Sequence, residues 1–291
     1  MRAFVLFGLS LIVSVSAFVE VQTNYHESVG IPEAERIRVL EEEILANDED
    51  NRIIGGALAP ANAHPYFAGL LVSFTHTASR SVCGSSLLSP NRLVTAAHCW
   101  FDGSNQAWQF LVILGSNHLY TGGERIQTSH VIMHPHYFPR FLTNDIAMIY
   151  LPRNAHIHGG VRPIRLPTGF ELWNQFVGHS AVAAGFGRIN DHQQGASTVV
   201  SHVSLRVISH AQCEQVIAAG FVTSGTICTS GAGSVGICNG DSGGPLAAHD
   251  NNGTPFLIGV SSFAATRACE QQHPSGFARV TSFHSFITQH M

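Results

Sequence analysis

The sequence predicts a chain built largely from antiparallel β-strands, because short β-branched and aromatic runs alternate with turn-forming residues from Ile53 onward. With 291 residues and 45% hydrophobic content, the chain can bury a large core, as one domain of two halves or as two small domains. Phe283, Phe286 and Ile287 recur at helical spacing, which predicts a short terminal helix. The predicted strand-forming runs are 66–74, 87–88, 92–95, 110–114, 146–151, 180–185 and 257–263.

The N-terminus has the order of a secretory signal peptide. Arg2 precedes an apolar run over residues 3–13, and small residues follow as far as Ala17. A membrane anchor is the alternative, but this run is shorter than the roughly 20 residues that span a bilayer. We therefore interpret residues 1–17 as a signal peptide and expect a secreted protein without a membrane partner.

Residues 18–52 are predicted to be an acidic leader that proteolysis removes. Ten of the nineteen acidic residues precede position 53, together with only four of the fifteen arginines. The polar stretch 47–52 ends in Arg52, and stretches of this kind are accessible to proteases. We expect cleavage between Arg52 and Ile53, which leaves 53–291 as the folded domain.

Within the leader, a helix is predicted to open at Pro32, a residue favoured in the first helical turn. Ile37, Leu40 and Ile44 would fall on one face of this helix. The leader contains no cysteine, so after cleavage it would not remain linked by a disulfide and should be released.

Composition excludes several classes of partner. Beyond the leader, eleven arginines are dispersed among nine acids, which is no footprint for nucleic acid. The chain has no lysine, so its positive charge would survive in an alkaline medium; compositional drift is the alternative. The eighteen histidines lack companion carboxylate or cysteine clusters and are interpreted as loop residues rather than metal ligands. Six cysteines in an exported chain favour disulfides, and we expect no metal or other cofactor.

Three short motifs together carry a pattern for nucleophilic catalysis. Ser242 lies in a glycine-rich loop where the backbone amides of Gly240 and Ser242 could stabilise an oxyanion. A serine needs a base, and His98 lies in a small, apolar segment that ends in a cysteine. The base needs an orienting anion, and Asp145 begins a hydrophobic strand. Each piece alone has a structural alternative: a tight turn, a core histidine or a turn-capping acid.

In the order His, Asp, Ser, these motifs resemble the chymotrypsin family of serine endopeptidases. This resemblance extends over 53–291 and includes Arg52–Gly56, Thr95–Cys99, Asp145–Ala147, Gly240–Pro245 and Gly276–Val280. Three other segments are Val112–Asn117, Gly185–Arg188 and Ile227–Gly231. On these three, the chain looks most like insect digestive chymotrypsins.

The resemblance implies two six-stranded antiparallel β-barrels, about 53–165 and about 166–291, with the active site in the cleft between them. His98 and Asp145 would come from the first barrel and Ser242 from the second. The implied disulfides are Cys83–Cys99, Cys213–Cys228 and Cys238–Cys269.

The family also implies how the precursor is activated. The freed amine of Ile53 would pair with Asp241, so before the cut after Arg52 the Asp241 loop should be misplaced. An α-amine titrates near pH 8, so activity in alkali would require a raised pKa for Ile53, and activity would fall above that pKa.

The resemblance places the base of the substrate pocket at Gly236, where a trypsin-like enzyme has an aspartate. Without a buried anion, the pocket should accept Phe, Tyr, Leu or Met. Ile237, Ala264 and Ser275 depart from common family residues and suggest a shallower pocket, unless Ile237 points away. The expected pocket residues are Gly236, Ile237, Ser262, Phe263, Ala264 and Ser275.

The leading hypothesis is a secreted digestive endopeptidase, expected to be a monomer in an extracellular and possibly alkaline lumen. Its expected partners are protein and peptide substrates, an activating trypsin-like protease and protein inhibitors of proteases. The alternatives are a regulatory protease of a secreted cascade and a non-catalytic binding protein on the same scaffold. The short leader disfavours the former, and the complete His98, Asp145 and Ser242 set disfavours the latter.

Overall fold

Two barrel-like antiparallel β-sheets form the body of the protein. The first holds seven strands in the order β5-β4-β1-β2-β3-β7-β6. Residues described by this computed structural model are 21–46, 60, 62–187, 199–264 and 272–291. The strands of the first sheet are β1 (Phe67–Phe74), β2 (Arg80–Ser89), β3 (Arg92–Thr95), β4 (Ala107–Leu114), β5 (Glu124–Thr128), β6 (Val131–Met133) and β7 (Ala147–Tyr150).

The seventh strand arises from a bend in one edge of the first sheet. Thr128, at the end of β5, pairs with β4, whereas Val131, at the start of β6, pairs with β7. A single stretch of chain therefore changes partners across two residues and is divided into two strands. This bend accounts for seven strands where six were expected.

The second sheet is a closed six-stranded barrel in the order β10-β13-β12-β11-β8-β9. Closure leaves no free sheet edge, which satisfies the backbone groups of every strand. Its strands are β8 (Ser180–Gly185), β9 (Ser201–Ile208), β10 (Thr226–Thr229), β11 (Pro245–His249), β12 (Pro255–Phe263) and β13 (Ser275–Arg279).

Apolar residues of both sheets form the cores. Leu70, Leu87 and Phe110 are fully buried in the largest cluster, and Ile258 and Phe277 are fully buried in the second barrel. At roughly 1.5–3 kcal/mol for each large buried side chain, these clusters supply much of the folding free energy. The rigid cores fix the loops that carry the polar residues of the cleft.

Three α-helices accompany the sheets in the part of the chain that the structure describes. The predicted terminal helix is present as α3 (His284–Gln289), and Phe286 and Ile287 pack into the core of the first sheet. α2 (His210–Glu214) precedes β10. No helix in the described ranges combines the length and the apolar character needed to cross a membrane.

The leader contains α1 (Ile31–Ala46), the longest helix among the described residues, preceded by one π-helical turn (His26–Gly30). Its buried face differs from the expected one: Ile37 is buried, but Leu40 and Ile44 are only half-buried. The other fully buried residues of α1 are Glu33, Ala34 and Glu41. The hydrophobic pattern missed this face because Glu41 is buried by hydrogen bonding rather than by apolar contact. The predicted signal peptide, Arg52, Ile53 and Cys269 lie outside the described residues.

Candidate active site

His98 lies on a single 3-10 turn (Ala97–Cys99) directly after β3. The disulfide between Cys83 and Cys99 ties this turn to the middle of β2. The imidazole is 1% exposed, so its position is determined by packing rather than by solvent. A histidine held between two strands in this way has little freedom to rotate.

Asp145 orients His98 through two hydrogen bonds. Its Oδ1 atom accepts the backbone N–H of His98 at 2.8 Å, and its Oδ2 atom lies 2.8 Å from Nδ1 of the ring. The preceding Asn144 has a left-handed φ of 53°, which turns the chain just before β7. Because a carboxylate only accepts, the ring proton belongs on Nδ1, which leaves Nε2 as a proton acceptor.

A third donor to Asp145 comes from the other barrel. Ser262, on β12, donates its hydroxyl to Oδ2 of Asp145 at 2.5 Å. The sequence assigns Ser262 to the substrate pocket alone, and the structure adds this contact. This bond links the two sheets through the buried carboxylate.

The Ser242 loop requires glycine at two positions. Gly240 and Gly243 have φ values of 104° and 79°. A Cβ on Gly243 would also lie 2.3 Å from Oγ1 of Thr95, so no larger residue fits. Gly84 donates its N–H to the Ser242 carbonyl at 2.7 Å and holds the loop against β2.

Two backbone donors in this loop are available to a ligand. Within the described chain, the N–H groups of Gly240 and Ser242 have no acceptor. Paired donors of this kind are the usual means of stabilising an oxyanion.

Asp241 points inward although the chain still carries its leader. It accepts the N–H groups of Gly187 at 2.8 Å and Cys238 at 2.9 Å. Burial raises the pKa of Asp241 to about 6, and these two bonds offset part of that rise. We expected a misplaced Asp241 loop before cleavage; instead, backbone donors already hold its carboxylate inward.

A cavity of about 220 Å³ adjoins Ser242. Of the expected pocket residues, Ile237, Ser262, Phe263 and Ala264 line this cavity. Gly236 and Ser275 do not line it among the described residues; instead, the Ser275 hydroxyl accepts the Ile237 N–H at 3.2 Å. No acid or base from the described body of the protein lines it either.

Two of the implied disulfides lie within the described chain, Cys83–Cys99 and Cys213–Cys228. Cys238 is also disulfide-bonded, but its expected partner lies outside the described residues.

Metal binding finds no support in the described part of the chain. One group there has the spacing of metal ligands, Cys83, His98 and Cys99. Its two cysteines form a disulfide, which leaves no thiolate to bind a metal.

The leader reaches into this site, a contact that the sequence does not predict. Tyr25 packs its ring edge-on against His98, with centroids 4.8 Å apart. Four leader residues also line the cavity beside Ser242: Gln22, Tyr25, Ser28 and Val29. Nothing in the hydrophobic pattern of the leader indicates these contacts, because they depend on tertiary packing.

The fold and the site geometry agree with the comparison to protein families, in which the trypsin family matches residues 53–287. The chain belongs to the trypsin family of serine proteases. It is therefore a hydrolase with the chymotrypsin fold.

Relatives of this trypsin-family chain include proteases of insects and a crab. Collagenase of Hypoderma lineatum is 35% identical over 240 residues, which cover 82% of this chain and 87% of the relative. Brachyurin of Leptuca pugilator is 35% identical over 239 residues, which cover 81% and 96% respectively. A solved structure of HL collagenase is 34% identical with a TM-score of 0.73, and the match covers 82% of this chain and 98% of that one.

Proposed function

We propose that this protein is a secreted serine endopeptidase, made as an inactive precursor and activated by cleavage after Arg52. The observation that carries the proposal is the buried pair in which both carboxylate oxygens of Asp145 bind His98. That pair leaves Nε2 of His98 as the available base, with Ser242 in the adjacent glycine-rich loop. Membership of the trypsin family supports the same reaction class.

In the proposed mechanism, Oγ of Ser242 attacks the substrate carbonyl carbon while Nε2 of His98 takes the hydroxyl proton of Ser242. The new C–O bond gives a tetrahedral intermediate, and the scissile C–N bond breaks as His98 returns the proton to the leaving amine. Water, activated by the same histidine, then hydrolyses the acyl-enzyme. Asp145 holds the ring in the required tautomer throughout.

The N–H groups of Gly240 and Ser242 stabilise the negative charge that develops on the carbonyl oxygen. Their lack of acceptors within the described chain supports this role. Removing one such donor from an enzyme typically costs a factor of about 100–1000 in rate.

The substrate residue before the scissile bond is large and apolar: Phe, Tyr, Leu or Met. The cavity beside Ser242 is lined by Ile237, Phe263 and Ala264, and the described body contributes no charged side chain to it. Arginine or lysine would be desolvated there without a partner, at a cost of several kcal/mol. Ile237 limits the depth of the cavity, which favours Leu and Met beside the aromatics.

Activation requires that residues 1–52 be separated from the protease domain by proteolysis. Residues 1–17 direct secretion, and a trypsin-like protease then cuts after Arg52. The new amine of Ile53 pairs with Asp241, whose raised pKa supports the need for a buried cation. The enzyme acts in protein digestion, and the absence of lysine suits an alkaline lumen.

The test begins with the full chain treated with excess trypsin, after which the trypsin is inhibited and the N-terminus is sequenced. Hydrolysis of short peptides ending in Phe, Leu, Met or Arg is then measured from about pH 6 to about pH 11, which spans the titration of an α-amine and of lysine. We expect a product beginning at Ile53 that cleaves after Phe, Leu and Met. Ser242→Ala, prepared identically, serves as the control for residual trypsin.

Preference for arginine would refute the pocket assignment, and turnover that survives Ser242→Ala would refute the mechanism. A folded product without turnover would leave a non-catalytic binding protein as the better description. An optimum near neutrality would remove the alkaline explanation for the missing lysines.

A further inference from the structure

The leader crosses the cleft from one wall to the other. Val21 packs in the same apolar cluster as Leu142 and Phe263, beside the cavity. Five residues later, His26 reaches Ser81 and Asp102 on the opposite side. A chain along this path occupies the part of the cleft that a peptide substrate must enter.

Tyr25 lies at the centre of this path. Its hydroxyl donates to the carbonyl of Val82 at 2.7 Å, and its ring stacks edge-on with His98. Burial raises the pKa of this hydroxyl, and hydrogen bonding to the Ser242 side chain opposes the rise. Within the described chain, Nε2 of His98 has no hydrogen-bond partner. Tyr25 and Ser242 therefore line the same cavity, while Nε2 of His98 has no partner among the described residues.

His26, the residue after Tyr25, also anchors the leader to the body of the protein. Its N–H donates to Oδ2 of Asp102 at 2.9 Å, and its Nδ1 lies 2.8 Å from Oγ of Ser81. Its ring meets Phe74 edge-on, with centroids 4.8 Å apart. Gly30 then passes so close to Ser81 that an added Cβ would lie 1.9 Å from its Oγ. The π-helical turn is therefore fitted closely to the body.

A second anchor lies away from the cleft, on α1. The Glu41 carboxylate accepts the N–H of Leu119 at 2.7 Å and of Tyr120 at 3.1 Å. The side-chain hydroxyl of Tyr120 donates to the carbonyl of Ala34 at 3.0 Å. Ala34 and Ile37 are fully buried against the body. The leader is thus held at two separate places without any covalent link to the body other than the chain at Arg52.

We propose that residues 21–46 are a tethered inhibitor whose binding surface is the cleft plus the loop around Leu119 and Tyr120. The leader stays bound after the cut following Arg52, so full activity requires a second event that dissociates or degrades it. The proposal differs from the expectation that a cysteine-free leader is released by the cut after Arg52. It rests on the proposed function, because it names the ligand of that same active site.

The inward position of Asp241 in the uncut chain points the same way. Its carboxylate already has two backbone donors, so the loop beside Ser242 does not wait for the Ile53 amine to turn inward. Latency then depends on occupation of the cleft as well as on the missing amine.

The test uses the full chain with residues 48–52 replaced by the recognition sequence of a protease that leaves Arg36 and Arg38 intact. After complete cleavage, size-exclusion chromatography follows the leader, and hydrolysis of a short peptide follows the active site. We expect the leader to co-elute with the body, and activity to stay at about a tenth or less of its later value. The later value is measured after trypsin has digested the leader and been inhibited.

Substitutions in the leader test whether its specific contacts with the cleft cause the low activity after the first cut. Tyr25→Ala removes the ring from the cleft, and Gly30→Ala introduces a clash with Ser81. Both should raise the activity that follows the first cut about tenfold or more, as expected for a central interface residue. Leu45→Ala, on the exposed side of α1, is the matched control and should behave like the parent.

Full activity at the first cut, with the leader eluting separately, would overturn the inference. Equal behaviour of Tyr25→Ala and Leu45→Ala would also overturn it. If digestion of the leader yields no activity, the proposed function fails. Co-elution, measured after the first cut and before that digestion, still decides whether the leader stays bound.

Discussion

The Tyr25 ring stands edge-on to the imidazole of His98, with 4.8 Å between centroids and 65° between planes. The Nε2 atom, which the bonds to Asp145 leave available, has no hydrogen-bond partner in the described chain. Tyr25 also lines the cavity beside Ser242, so the leader lies where the proposed mechanism would place a substrate. The structure is thus that of a nearly complete site with its entrance occupied.

Replacing Asp145 tests the orientation of the base. Asp145→Asn would present an amide N–H to the ring and disfavour the tautomer with its proton on Nδ1. We expect kcat of the leader-free enzyme to fall by about 10³–10⁴. Asp250→Asn is the control, because that carboxylate pairs with Arg165 outside the site. Equal activities of the two variants would contradict the role given to Asp145.

The third bond to Asp145 can be tested with neighbouring serines. Ser262→Ala deletes the 2.5 Å bond to Oδ2, whereas the hydroxyl of Ser261 has no partner in the described chain. A hydrogen bond to a charged group contributes about 1.5–3 kcal/mol, so Ser262→Ala should lower kcat roughly tenfold or more. Ser261→Ala should change it little. Steady-state kinetics at saturating substrate would show the difference, and a fall confined to Ser261→Ala would contradict it.

Gly243 should be irreplaceable for steric reasons. Gly243 and Gly253 both have positive φ, 79° and 77°, but only Gly243 has atoms where a Cβ would go. Gly253→Ala should cost about 1 kcal/mol of unfolding free energy from backbone strain. Gly243→Ala should cost about 3 kcal/mol, because a clash with Thr95 is added. Urea unfolding measures both, and equal losses would show that the loop can relax.

Acid should weaken binding of the leader. Burial is the main cause that lowers the pKa of His26 from 6.5 to about 4; nearby His98 lowers it further and Asp102 opposes the shift. Between those two pH values the free leader binds more protons than the bound one, so a fall in pH favours release. Above pH 6.5 this effect is absent.

Asp102 adds to that trend at lower pH. Burial alone would raise its pKa, but N–H donors including that of His26 lower it overall, so its protonation in acid also weakens the contact. Leader retention after the selective cut should decline from pH 6.5 towards pH 4. His26→Asn keeps a polar side chain without the titration and should flatten this decline. An unchanged decline in that variant would exclude His26 as its source.

The features that local sequence predicted are those with local causes. β3 and the strand after Asp145 followed from short apolar runs, and α3 followed from the spacing of Phe286 and Ile287. The Ser242 loop followed from its glycines, whose positive φ values the structure contains. The pairing of His98 with Asp145 rested on family resemblance, because 47 residues separate them.

The leader contacts could not be read from sequence, because they depend on groups far away in the chain. From the sequence, Glu41 resembles a solvent-exposed helix residue. It is only 2% exposed, because its carboxylate accepts backbone N–H groups of the 119–120 loop. Tyr25 and His26 lie outside the amphipathic pattern and bind residues more than fifty positions later. Hydrophobic periodicity records apolar faces, not carboxylates that find donors elsewhere.

The central claim is that Ser242 is the nucleophile of this protease. The most direct test is mass spectrometry of the leader-free enzyme after reaction with a small organophosphorus fluoridate, which traps activated serines. We predict one adduct per chain, on the peptide that contains Ser242, with loss of all peptide hydrolysis. Ser242→Ala should neither react nor turn over. An adduct elsewhere, or hydrolysis that persists in Ser242→Ala, would contradict the account.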